Sequence, residues 1–205
     1  TGTRKIVCKK DVIGAISRLR ERFPHRTPSQ KLFRLANGET TPQLGKAFEK
    51  VYVIMGNHDL FYREKREINS MEFIRNIPNI HLVNEWIVEN DVAIIPWIVG
   101  DEWKRIEKLN SKYVFGHFEL PYFEMNAMVE MPDVGGIKTE HFKNCGMVFT
   151  GHFHKRQQMQ NVTYMGNAFP HNYADAWDDD RGMMILEWGG QPKYIDWPDM
   201  PRYIT

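Results

Sequence analysis

Three stretches of this sequence place histidine directly or nearly directly after a glycine, each at the end of a short apolar run. The stretches are Gly56–Asp59 (GNHD), Gly116–Glu119 (GHFE) and Gly151–His154 (GHFH), and the runs before them are 51–55, 113–115 and 146–150. Ligands of open α/β sheets bind at the carboxyl ends of strands. We therefore predict that three strands deliver His58, His117 and the pair His152 and His154 to one edge of a sheet. Gly151 is expected to let the chain bend, so that both histidines of GHFH face the same cleft.

The side chains gathered there are of the types that bind transition metals. Imidazole nitrogens come from the histidines and a carboxamide oxygen comes from Asn57, and no cysteine lies in any of the three stretches. Such a set favours Mn, Fe or Zn over a structural zinc site of the cysteine type. The pattern predicts a metal site. Asn57 follows a glycine, so the alternative that it is only a turn residue stays open.

In their order and spacing, the three stretches resemble the last three signature motifs of the calcineurin-like metallophosphoesterases. Further matches resemble the SbcD-type DNA nucleases, among them the recombination-endonuclease subunits of T-even-like phages. These matches are Ile95–Trp97 (IPW), Gly166–Pro170 (GNAFP) and Asp178–Gly182 (DDDRG). The resemblance covers roughly residues 50 to 200. It implies an α/β fold, a four-layer αββα sandwich incomplete at the N-terminus, with a divergent basic segment at 1–50 and the metallophosphoesterase core at 51–205.

The resemblance also implies roles for individual residues. Asn57, His117 and His152 would be ligands of the second of two Mn²⁺ ions, and His154 a ligand of the first. His58 would protonate the leaving group or steady the phosphate, with Asp59 orienting its ring. Glu119 is a candidate to hold His117 in the same way. His171 is a candidate contact to the substrate phosphate, against the alternative of a surface-loop histidine.

The first part of the family pattern is missing from this chain. The family begins with a strand ending in Asp-x-His, followed by a Gly-Asp-x-x-Asp motif, and together these supply most ligands of the first metal and the bridging carboxylate. Asp11 lies in no such context, and no Gly-Asp pair precedes Gly56. We therefore expect one Mn²⁺ or none to bind here, where the family binds two. The chain also lacks material at its C-terminal end relative to the family.

Three functions remain open on this basis. The leading one is a manganese-dependent DNA exonuclease and endonuclease subunit of a phage-type recombination and repair complex, with an SbcC-like ATPase as partner and a homodimer as its assembly. A phosphoesterase for small substrates is the second, although the IPW and GNAFP matches oppose it. A catalytically inactive DNA-binding or scaffold module is the third, favoured by the missing motifs.

Composition sets the general class of protein. The 205 residues are 42% hydrophobic and 13% aromatic, enough for one core and one domain. No run of about 18 apolar residues is present, and the first residues do not resemble a signal peptide, so neither membrane contact nor secretion is expected. Cys8 and Cys145 form no disulfide framework. A cytoplasmic location, in a bacterial or phage-infected cell, is the expectation.

Charge is distributed unevenly along the chain. Residues 1–50 contain twelve Lys and Arg against four acidic residues, and residues 51–205 contain fifteen against twenty-two. A basic N-terminal segment is suited to contact phosphates, but a solvated arm explains it equally well. Residues 11–23 predict a basic amphipathic helix and 24–45 a loop. Beyond Val51 the sequence predicts helices at 70–76, 101–109 and 138–143 and a long loop at 120–136. It also predicts a hairpin of strands 86–88 and 92–95 with a turn at 89–91, and strands at 80–83, 161–165, 182–187 and 193–196.

Overall fold

The computed structural model of the protein describes residues 40–126 and 129–202. Its first part contains one α-helix and two small sheets. The elements are α1 (Thr40–Ala47), β1 (Val51–Ile54), β2 (Leu60–Tyr62), β3 (Lys65–Asn69) and β4 (Ile80–Val83). Strands β1 and β4 are parallel, and β2 and β3 form an antiparallel hairpin. A small core of Met55, Ile74, Ile80 and Leu82 joins them, with Leu44 of α1 packed against it.

A six-stranded sheet forms the centre of the fold. The strands that follow β4 are β5 (Ile87–Glu89), β6 (Val92–Ile95), β7 (Tyr113–His117), β8 (Glu124–Asn126), β9 (Val129–Glu130), β10 (Met147–Gly151), β11 (Gln157–Met159), β12 (Val162–Tyr164), β13 (Gly182–Ile185) and β14 (Lys193–Asp196). The strands of the central sheet lie in the order β11, β12, β10, β7, β6, β5, where the four inner ones are parallel and both edge strands run antiparallel to their neighbours.

One face of this sheet buries a row of small and β-branched side chains. Ala93, Val114, Val148 and Val162 stand side by side on four neighbouring strands, and each is 0% exposed. Loop residues and two 3₁₀ helices, Gly100–Lys108 and Thr139–Phe142, cover the row. Burying one such valine is worth about 1.5–3 kcal/mol, so the row fixes the register of the strands that end at the site.

The other face carries aromatic side chains and is covered by the last hairpin. Tyr113, Phe115 and Phe149 alternate with the buried row along β7 and β10 and pack against Met184 and Leu186 of the β13–β14 region. Both faces are therefore covered, which is the condition for parallel strands to be stable. The class is mixed α/β, as predicted, while the four-layer sandwich stays a prediction.

The GNHD strand does not belong to the central sheet, which corrects the prediction of one common edge. β1 pairs with β4 alone, and a backbone hydrogen bond from the Trp97 amide to the Met55 carbonyl oxygen (2.8 Å) joins its end to the segment that follows β6. Apolar runs predict strands but not which sheet each strand enters. The ends of β1, β7 and β10 nevertheless lie together.

Several other local predictions need correction. The segments predicted as helices at 70–76, 101–109 and 138–143 are 3₁₀ helices, and α1 occupies part of the predicted loop at 24–45. Pro42 in the first turn of α1 is compatible with a helix, because no hydrogen bond is required there. The β2–β3 hairpin, the short β8–β9 hairpin in the predicted 120–136 loop and strand β11 were not predicted. The helix predicted at 11–23 lies outside the described residues.

Other predictions are confirmed. The strand at 80–83 and the hairpin of β5 and β6 form as expected, and so do the strands near 162, 182 and 193. Cys145 is buried and unpaired, whereas Cys8 lies outside the described residues. Within residues 40–126 and 129–202, no helix has the length and apolarity that crossing a membrane requires.

Candidate metal and phosphate site at the strand ends

The imidazole of His117, the last residue of β7, rests on two of the motif glycines. A Cβ atom at Gly56 would lie 2.9 Å from its Cε1, and one at Gly151 would lie 3.1 Å from its Nδ1. At Gly116, a Cβ would come within 2.1 Å of the Phe118 ring. The glycines of GNHD, GHFE and GHFH are therefore needed for the close approach of aromatic rings.

The bend predicted at Gly151 occurs one residue later. The positive φ of this turn, 100°, belongs to His152 and not to the glycine. Such a backbone is rare for a residue with a Cβ and costs about 1–3 kcal/mol, so it persists only where the surroundings impose it. Here Trp97 packs against the His152 ring at 5.4 Å between centroids, and Glu119 Oε1 lies 3.6 Å from Nε2. In this conformation the His152 imidazole lies beside that of His117, 3.3 Å from Nδ1 to Nε2.

Three ligand-type atoms converge at this point. His117 Nε2 lies 3.1 Å from Asn57 Oδ1 and 3.3 Å from His152 Nδ1. For a metal–ligand distance of about 2.1 Å, neighbouring ligands lie about 3.0 Å apart in an octahedral site and about 3.4 Å apart in a tetrahedral one. Both distances from His117 Nε2 fall in that interval. The donors themselves, imidazole nitrogen and carboxamide oxygen, are of types that divalent transition metals accept.

The protonation of both histidines suits this chemistry. Burial lowers the pKa of His117 to about 3, and repulsion from His152, His58 and His154 adds to the effect. Burial likewise lowers the pKa of His152, against an opposing contribution from Glu119. Both imidazoles are thus neutral near pH 7, and a neutral imidazole is the form that binds a metal.

One of the two motif carboxylates contacts a different residue than expected. Asp59 accepts a hydrogen bond from the Gly56 amide (2.8 Å) and so closes the GNHD turn, while burial raises the pKa of its carboxyl. His58 is exposed at the surface of this turn. Glu119 stands beside His152, not beside His117 as proposed from the sequence. Asp59 thus acts on the backbone that presents Asn57 and His58.

The second half of the site is built around His154. Its Nδ1 lies 3.0 and 3.1 Å from the two carboxylate oxygens of Asp175, which is only 4% exposed. The same carboxylate accepts a hydrogen bond from the His171 amide (2.8 Å). Sequence reasoning missed Asp175 and considered only the acidic run that begins three residues later. The motif spacing gives no signal for a contact between residues 21 positions apart.

Arg181 is the buried cation of this half and is 1% exposed. It donates to the carbonyl oxygens of His154 and Asp178 (3.0 Å each) and lies 3.2 Å from Asp178 Oδ2 and 3.7 Å from Asp175 Oδ1. In the sequence, Arg181 and the acidic residues before it were noted only as the DDDRG match. Asp178 is largely buried, because it lies beside this guanidinium.

His171 lies against this cluster and is partly buried. Its ring packs 5.2 Å from that of His154 and 5.4 Å from that of Phe169. Burial lowers its pKa to about 4, and the neighbouring His154 adds to the shift. The side chain is therefore neutral near pH 7, so it brings no positive charge to a substrate phosphate.

The described part of the chain contains no group of three or more His, Cys, Asp or Glu side chains placed to hold a metal ion together. The convergent set around His117 contains two histidines, and its third donor is the amide of Asn57.

Comparison with known proteins gives one point of reference. No known protein-family profile matches the chain. Among curated proteins, the chain is similar to exonuclease subunit 1 of Enterobacteria phage T4, with 27% identity over 158 residues that cover 73% of this chain and 45% of the phage protein. The chain thus spans less than half of that relative's length. The similarity relates this chain distantly to a phage nuclease subunit.

Proposed function

We propose that this chain carries the metal-binding part of a calcineurin-like metallophosphoesterase of the SbcD type, which hydrolyses phosphodiester bonds in DNA with Mn²⁺. The observation that supports this most strongly is the convergence of Asn57 Oδ1, His117 Nε2 and His152 Nδ1 at the ends of β1, β7 and β10. The similarity to a phage exonuclease subunit supports DNA as the substrate.

In this proposal, Asn57, His117 and His152 hold one Mn²⁺, and His154 is the residue nearest to a second position. A bound divalent ion supplies Lewis-acid stabilisation of charge on a phosphoryl oxygen and activates water as a nucleophile. Trp97 shields the two ligand imidazoles from solvent on one side, since its ring lies 6.0 Å from His117 and 5.4 Å from His152. This packing keeps both rings oriented.

His58 is proposed as the proton donor to the leaving oxygen. It is exposed and directly follows Asn57, whose Oδ1 lies 3.1 Å from His117 Nε2, so it is close to the proposed metal ligands. Asp59 fixes the turn that presents it by holding the Gly56 amide. His171, being neutral, is proposed to offer a hydrogen bond to substrate and no charge.

The relative is named as a subunit, which supports a partner protein for this chain as well. We propose an SbcC-like ATPase subunit as that partner, with a homodimer of the nuclease and a cytoplasmic location in a bacterial or phage-infected cell. The packing of the β13–β14 hairpin on the central sheet supports the four-layer sandwich as the architecture of the whole protein.

A second candidate is a DNA-binding or scaffold module without catalysis. One observation favours it: the described residues contain no group of three or more His, Cys, Asp or Glu side chains placed to hold a metal ion. The small-substrate phosphoesterase stays the third candidate.

One assay separates these candidates. The purified chain is incubated with Mn²⁺ and linear or plasmid DNA, and in parallel with bis(nitrophenyl) phosphate, with His117→Ala as the control. We expect Mn²⁺-dependent cleavage of DNA that the control lacks. DNA binding without cleavage would favour the inactive module, and cleavage of the small diester alone would favour the small-substrate enzyme.

A further inference from the structure

The contact between His154 and Asp175 joins the GHFH turn to a loop that the motifs do not include. Asp175 lies at the end of a short 3₁₀ helix, Tyr173–Asp175, and its carboxylate is almost completely enclosed. Beyond the two contacts to His154, it accepts hydrogen bonds from the amides of His171 (2.8 Å) and Asn172 (3.4 Å). The loop thus holds the carboxylate in one orientation.

A buried carboxylate requires compensating charge, and Arg181 supplies it. The guanidinium lies 3.7 Å from Asp175 and donates to the carbonyl oxygen of His154 (3.0 Å), so the same cation also fixes the backbone of the histidine. Charged groups this far from water are retained only where partners surround them. The two side chains together hold His154 by its ring and by its main chain.

We propose that Asp175 is a positioning residue that fixes the tautomer and direction of His154 for work in the cleft. A carboxylate only accepts hydrogen bonds, so Nδ1 of a neutral His154 must carry the proton and Nε2 must carry the lone pair. The two nitrogens stand on opposite sides of the ring. Nε2 therefore faces away from Asp175, free to accept a hydrogen bond or a cation.

The ring of His154 lies beside another candidate residue, since it packs 5.2 Å from the ring of His171. The His154 side chain is one-third exposed. His154 is thus open to solvent while its Nδ1 is held by a buried carboxylate. Carboxylates that hold a functional histidine in this way are typically worth about 10–100-fold in metal affinity or activity.

The catalytic consequence rests on the proposed function, but the positioning itself is measurable without it. We would determine the tautomer of His154 in the ¹⁵N-labelled chain at pH 8.5 from long-range proton–nitrogen correlations. The expected result is a proton on Nδ1 in the wild type and a loss of that preference in Asp175→Asn. Asp178→Asn is the matched control, because it removes another carboxylate beside Arg181 that has no contact to the His154 ring.

Two results would overturn the proposal. The first is a proton on Nε2 of His154 in the wild-type chain. This result needs no variant, so it decides the matter even if Asp175→Asn fails to fold. If the wild-type chain cleaves DNA, equal cleavage rates of Asp175→Asn and Asp178→Asn would also overturn the proposal. Asp175→Asn alone is expected to lose about 10–100-fold in rate. A wild-type Nδ1 proton in a chain without nuclease activity would support the positioning and count against the proposed function alone.

Discussion

The two halves of the candidate site are built in different ways. Around His117, the groups come from strand ends and are packed by shape, because the ring rests on Gly56 and Gly151. Around His154, they come from a strand end and a loop, and buried charges hold them through Asp175 and Arg181. The half around His117 depends on glycines, which leave room for the ring. The half around His154 depends on paired buried charges.

This difference determines how each half responds to mutation. A lost partner in the charged half leaves an ion buried without compensation, which is a large cost to folding. An added methyl group in the shape-packed half displaces one ring and leaves the rest of the fold intact. The charged half is therefore expected to affect stability most strongly, and the packed half to affect metal affinity.

The largest effect is expected for Arg181→Met. The substitution leaves the carboxylates of Asp175 and Asp178 without their buried cation, so the free energy of unfolding should fall by about 3–5 kcal/mol. Urea denaturation at pH 7 measures it. Arg202→Met is the matched control, since Arg202 pairs with Asp179 at the surface and such pairs are worth about 0–1 kcal/mol. Equal losses in both variants would remove the distinction between the two halves.

A smaller effect, on metal affinity, is expected for Gly56→Ala. Gly56 has φ −97°, which alanine adopts without strain, so the change acts only through the His117 ring that its Cβ would meet at 2.9 Å. We expect Mn²⁺ affinity to fall about tenfold, equivalent to about 1.4 kcal/mol. Isothermal titration calorimetry measures the change.

Two other glycines calibrate that result. Gly151→Ala should weaken Mn²⁺ binding less. Its Cβ would lie 3.1 Å from Nδ1 of the His117 ring and 3.7 Å from Cε1, so it crowds only one ring atom. Gly136→Ala should lower stability, owing to a φ of 87°, with no change in affinity. An affinity loss at Gly136 as large as that at Gly56 would refute the role assigned to ring packing.

The smallest effect is expected for His171→Gln. Because the pKa of His171 is about 4, the side chain is neutral at pH 7.5 and neutralises no phosphate. DNA affinity should therefore change by no more than about twofold, and the dependence of binding on salt concentration should keep its slope. A decrease of that slope by about one charge would show instead that His171 binds phosphate as a cation.

The packed half was largely predictable from the sequence. Each of Asn57, His117 and His152 follows an apolar run and a glycine, and short-range patterns of this kind indicate strand ends. What the pattern could not provide was the separation of β1 from the central sheet or the positive φ of His152, because pairing and backbone strain depend on the packed structure.

The charged half was not predictable in the same way. Asp175 lies 21 residues from His154 and in no motif, and Arg181 looked like an ordinary residue before a strand. Asp175 and Arg181 interact closely because both are buried in the folded chain. The burial of a single polar residue is set by tertiary contacts, which local sequence does not reveal. The acidic run 178–180 shows the same dependence, since Asp178 is largely buried while Asp179 is exposed.

The measurement that tests the central claim most directly is Mn²⁺ binding to the wild-type chain and to His117→Ala. The electron paramagnetic resonance signal of the free ion reports how much Mn²⁺ is bound. His117 Nε2 is the atom shared by both short contacts, so its removal leaves Asn57 and His152 without a common partner. We expect one Mn²⁺ per wild-type chain. The variant should lose more affinity than the about 10–100-fold that is typical when a residue holding a metal ligand, and not the ligand itself, is removed. Equal binding by both chains, or none by the wild type, would contradict a metal site at these strand ends.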